Sequence, residues 1–192
     1  MAGRMTALPS GERMGAYLSQ VHHLAAAGAP LLAMLIVKAP TQSDSTVMHA
    51  SLRNLLSDMQ RHGEGLRQAM EEACDRSPAL PATLQLGRFL AGLADAGFHA
   101  GVAGVAGVLR AAWVAPGTLQ GDLPEDELAR RIAASRESVP FGMAVHTLTS
   151  IMGATPPGER AEAAAAYRGA LERFKAFWDG CWEVVRQPGT IG

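Results

Sequence analysis

Cysteine is scarce in this chain. Cys74 and Cys181 are the only two, and they lie too far apart to make a CxxC pair. A zinc knuckle or dithiol redox centre therefore has no local support. Spacing alone leaves open whether the two pair with each other. A reduced, cytoplasmic setting is the expectation. An excess of charge of one sign is also missing. Seventeen Lys and Arg face eighteen Asp and Glu, for a formal net charge of -1. The basic residues are scattered, so no nucleic-acid partner is expected.

One stretch has no charge at all. Between Arg13 and Lys38 the chain reads MGAYLSQVHHLAAAGAPLLAMLIV. Its strictly apolar part is shorter than the roughly 20 residues a bilayer demands. Lengthening the span would put Ser19, Gln20, His22 and His23 in lipid. As a secretory signal it has a long leading region containing Glu12, and cleavage after Ala39 would leave Pro40 first. A buried core helix is the expected reading, with no membrane span.

Strand signals are lacking as well. There is no alternating β-branched cluster and no Asn-Gly or Asp-Gly hairpin turn. Helical periodicity fills the chain instead. Met14, Leu18, Val21, Ala25, Gly28, Leu32 and Leu35 recur at alternating spacings of four and three, which is one helical stripe. Pro30 should kink or restart that helix. A second stripe runs Met48, Leu52, Leu55, Met59, His62, Leu66 and Met70. A third helix is expected over residues 81–115. Asp122, Pro124 and Glu125 form a capping pattern for a fourth, over 123–138. Pro140 opens a short fifth bearing Phe141, Val145, Leu148 and Met152. The last helix, over 159–186, carries Tyr167, Phe174, Phe177, Trp178 and Trp182, half of the ten aromatics. The expected fold is all-α: a single-domain bundle of about five to six helices around a Gly/Ala-rich central one. Its bounds are a flexible arm at 1–11, the bundle at 12–187 and a tail at 188–192.

That central helix contains GFHAGVAGVAGVLRAAW, residues 97–113. No strand precedes it, and no Lys or Ser/Thr follows in phosphate-loop register, so neither dinucleotide nor P-loop chemistry fits. Each interior glycine costs a helix about 1 kcal/mol relative to alanine. Such a cost calls for compensation by close packing. Gly97, Gly101 and Gly104 make a small-residue line that another helix can approach, expected here as an interface between copies.

Catalytic motifs are lacking too. HExxH, ExxH and GxSxG do not occur, and no histidine has His, Asp or Glu four residues later. No metal site is expected, and no cofactor can be named. His62 reads as a hydrogen-bonded seam residue, and Cys181 as a small core residue. One polar line stands out on the expected third helix. Arg88, Asp95, His99 and Arg110 share a face, with Asp95 and His99 one turn apart. Exposed, the line is a solvent stripe with a weak surface pair. Sheltered, Asp95 would orient His99 for acid/base work and the arginines would receive an anion. His146, beside Thr147, Thr149 and Ser150, could share that pocket.

Two functions follow. The first is a non-enzymatic α-helical interaction or assembly protein, self-associating as a homo-oligomer. The alternative is a small-molecule-binding bundle or enzyme with an Asp95–His99 pair in an apolar pocket, taking a small apolar or anionic ligand.

Overall fold

The computed structural model describes residues 10–39, 50–55, 57–58, 61, 64, 77–118 and 139–186. These residues form helices and connections, with no strand among them. The elements are α1 (Ser10–Lys38), α2 (Pro81–Leu93), α3 (Phe98–Thr118), α4 (Val139–Gly153), a 3-10 turn (Pro157–Glu159) and α5 (Arg160–Arg186). Residues 50–55 are helical as well. The all-α bundle is thus as the periodicity predicts. The capping pattern at Asp122–Glu125, the seam at His62 and Cys74 lie outside the described residues. So do the tail and most of the arm, although Ser10 and Gly11 already belong to α1.

α1 buries the end of the expected stripe, from Gly28 on, while Val21 and Ala25 are half-buried. Leu32 and Leu35 are each 1% exposed, and Leu31 joins them. Pro30 sits inside α1 on its exposed side, and the helix continues past it without restarting. By length and composition alone, Ser19–Lys38 could cross a membrane. Its polar residues instead grip the chain's own backbone. Ser19 Oγ donates to the Ser77 carbonyl at 2.8 Å, and Gln20 Nε2 donates to that of Pro78 at 2.9 Å. Gln20 Oε1 accepts from Leu80 N and Thr83 Oγ1. His23 Nε2 lies 3.2 Å from the Ser77 carbonyl. The α2 N-terminus, whose Leu80 cap has no side-chain acceptor of its own, is satisfied from α1.

Contacts fix the helix directions. α1 and α2 run parallel, since Ser19 and Gln20 meet 77–83 and Lys38 meets Ala94 and Ala96. α2 runs antiparallel to α5, with Phe89 beside Gly169 and Ala82 beside Gly180. α3 and α5 run parallel, and α3 packs more extensively on α5 than on any other described helix. Residues 100–107 of α3 are buried throughout, so α3 is the bundle's central helix.

One expected element is corrected. Residues 81–115 form two helices, not one. Backbone N–H groups of Ala94, Asp95 and Ala96 close back on the carbonyls of Ala91, Gly92 and Leu93, and α3 starts afresh at Phe98. A distant residue meets this turn. The Lys38 ammonium, from the end of α1, donates to the carbonyls of Ala94 and Ala96. α2 has no basic residue in its own last turn, and a cation there satisfies carbonyls a helix end leaves open.

The glycines serve close packing within the chain. A Cβ on Gly101 would lie 2.5 Å from Leu35 Cδ2. On Gly104 it would collide with the end of Leu93. On Gly107 it would sit 2.8 Å from Ala170 Cβ and 2.9 Å from the Tyr167 carbonyl oxygen. Gly101 and Gly104, expected to face a second copy, are buried inside this one.

Candidate functional site

The broken helix redistributes the expected polar face. Arg88 is exposed on α2, Asp95 is exposed in the 94–97 turn, and Arg110 is exposed on α3. A continuous helix would have stacked these residues with His99, but the turn removes that register. No hydrogen bond or ion pair among the described residues joins Asp95 to His99. His146 is exposed on α4, where its carbonyl accepts from Ser150 Oγ at 3.1 Å. No hydrogen bond links it to His99.

His99 has a different carboxylate. Its Nδ1 lies 2.8 Å from Glu159 Oε2, with the His99 side chain 13% exposed and that of Glu159 47%. An ionised carboxylate only accepts, so Nδ1 carries the proton. In the neutral ring this leaves Nε2 as the basic nitrogen. Phe98 packs edge-on against the imidazole, centroids 5.2 Å apart. A second carboxylate stands close by. A Cβ on Gly97 would lie 3.9 Å from Glu162 Oε2 and 4.0 Å from Glu159 Oε2. Gly97 is itself exposed, at the side of the bundle where α3 and α5 both begin. Two carboxylates there complement the positive ends of two parallel helices.

Sequence reasoning missed Glu159 as the partner of this histidine and Glu162 as the carboxylate beside Gly97. Glu159 lies 60 residues away, and only the parallel pairing of α3 with α5 brings it near. The visible signal was the Pro-Pro-Gly-Glu start of the last helix, which puts acid in its first turn. That signal names no partner. Among the described residues no cluster of three His, Cys, Asp or Glu is arranged to hold a metal ion.

Cys181 is no nucleophile at neutral pH. It is 6% exposed, and burial pushes its thiol up to about 12 from 9.0. The reactive species is the thiolate, which this environment suppresses. A thiol reagent at pH 7.5 will leave native Cys181 unlabelled and modify it once the chain unfolds. Peptide mapping reads this, and rapid labelling of native protein would contradict it. The sign of the linkage follows. The fold favours the neutral thiol, so this contribution to stability is complete below pH 9 and declines as pH rises from 9 toward about 12.

Comparison with known proteins gives a likeness among solved structures. No protein-family profile matches the chain, and no curated protein sequence matches it. Among solved structures, the X-ray structure of a TenA homologue from Pyrococcus furiosus superposes with a TM-score of 0.76. The match covers 92% of this chain and 85% of that one, at 15% sequence identity. At that identity the likeness establishes the fold. It also overturns the first functional expectation, a non-enzymatic assembly protein. The finding that overturns it is the likeness to a TenA homologue; of the glycine line that supported assembly, Gly101 and Gly104 are buried inside the chain and Gly97 is exposed.

Proposed function

We propose that the chain is a small-molecule-binding helical bundle with enzyme-like acid/base chemistry centred on His99. The observation that carries this reading is the 2.8 Å pair between His99 Nδ1 and Glu159 Oε2, on an imidazole that is largely sheltered. A carboxylate on Nδ1 fixes the ring's orientation and stabilises the imidazolium formed when Nε2 takes a proton. Glu159 thus takes the role that the sequence pattern gave to Asp95. The likeness to a TenA homologue supports a ligand-handling bundle and leaves the reaction to experiment.

The charge around His99 narrows the ligand. Glu159 and Glu162 both flank Gly97, so an anion would be repelled. The proposal is a neutral or cationic small molecule, not the anionic one the arginine stripe implied. Self-association and a cytoplasmic location complete it. The exposed side of α1, where Met34 is 40% and Val37 is 78% exposed, supports the first. The grip of α1 on 77–83 supports the second, since it makes the uncharged run a helix of a folded domain.

The test is native mass spectrometry of the wild type and of His99→Ala, each mixed with a panel of small polar metabolites. His99→Ala should remain folded by circular dichroism and bind the captured compound at least about tenfold more weakly, the scale of a lost charge-assisted hydrogen bond. Equal capture by both proteins would refute the assignment.

A further inference from the structure

Lys38 ends the 24-residue uncharged run, and the structure gives it one task. Its Nζ donates to the Ala94 carbonyl and, at 2.9 Å, to the Ala96 carbonyl. These are the carbonyls of the turn that separates α2 from α3. Gly97 follows that turn, its carbonyl accepts from Gly101 N at 3.0 Å, and His99 stands two residues on. The turn is therefore held on one side by α1, through Lys38, and on the other by the 3-10 turn, through the Glu159–His99 bond.

We propose that Lys38 is a positioning residue for His99: by holding the 94–97 turn it fixes where α3 begins, and so the angle at which the imidazole meets Glu159. The physical argument is one of open groups. A helix end leaves carbonyls without partners, and α2 has no cation in its own last turn. Without the ammonium the Ala94 and Ala96 carbonyls must turn outward to find water. That shift moves the start of α3, and His99 with it, away from Glu159. This explains why a cation closes the uncharged run of α1.

The inference rests on reading His99 as the site's acid/base group, but its test follows a hydrogen bond and needs no ligand. The readout is the His99 Nδ1 proton in histidine side-chain NMR of the full chain. In Lys38→Met this proton should exchange about tenfold faster or vanish, as expected for a lost charge-assisted bond. Lys38→Arg, which keeps the charge and the donors, should restore it. Gln20→Ala serves as control, because it loosens the opposite end of the α1–α2 pair. The control should leave the Nδ1 proton unchanged while lowering the melting temperature. If Lys38→Met does not fold, Lys38→Gln is read in its place. An unaltered Nδ1 proton in the Lys38 variant overturns the proposal, and so does an equal loss in Gln20→Ala.

Discussion

Gly107→Leu abolishes the native fold. Even Gly107→Ala should lower stability by about 1–2 kcal/mol, the net of two opposed effects. Alanine in place of a helical glycine gains about 1 kcal/mol. Overpacking a well-filled core costs about 1–3 kcal/mol, occasionally more. At Gly107 the cost wins because of what stands opposite. The added Cβ would meet Ala170 Cβ at 2.8 Å and the Tyr167 carbonyl oxygen at 2.9 Å. Both belong to α5, and neither can swing aside without moving that helix. At Gly104 the obstacle is the flexible end of Leu93, so the same change should cost less. At Gly92 nothing lies within 4 Å of the added atom, and alanine should stabilise by about 0.5–1 kcal/mol. Chemical denaturation of the three alanine variants checks the order, with Gly107→Ala the least stable. Equal stabilities for Gly92→Ala and Gly107→Ala would contradict the close α3–α5 packing.

Gln20→Ala should cost more than Gly107→Ala and leave the chain folded, although it removes a polar side chain. Gln20 is 3% exposed and serves three partners: the Pro78 carbonyl, the Leu80 N–H and the Thr83 hydroxyl. Each buried group left without a partner costs about 1–3 kcal/mol. Some will find water, so a total loss of about 3 kcal/mol is expected. Gln20→Glu keeps the acceptor for Leu80 and Thr83 but sets a charge against the Pro78 carbonyl, and should also destabilise. Urea denaturation followed by far-ultraviolet circular dichroism measures both. Hydrogen exchange should show the effect first at the start of α2. A Gln20→Ala protein as stable as the wild type would contradict this bridge between α1 and α2.

These cases show which parts of the molecule a reader of the sequence could see. The stripe ending in Leu32 and Leu35 was legible because periodic burial on one helix is a local property. The need for close approach along α3 was legible from the glycines, each of which weakens a helix. What approaches was not. Leu35, Leu93 and Ala170 come from three different helices, and sequence spacing carries no record of them. The break at 94–97 was hidden for the same reason. Ala94, Asp95 and Ala96 all tolerate a helix, and the ammonium that meets the turn arrives from 56 residues upstream. Glu159 was hidden behind 60 residues. Of the candidate site, the histidine was legible and its partner was not. A search limited to one helix face selected Asp95 because it is one turn from His99. The fold supplied a carboxylate from a parallel helix start instead. Gln20 offered a faint signal, since an amide in an uncharged run needs partners wherever it is buried.

The measurement that bears most directly on the proposed function is histidine side-chain NMR of the wild type as the captured metabolite is titrated in. The expected result is a saturable shift of the His99 Nε2 resonance, with the exposed His146 signals unmoved and the shift lost in His99→Ala. A compound that binds the folded protein and leaves every His99 resonance in place would contradict the assignment of His99 and Glu159 as its acid/base centre.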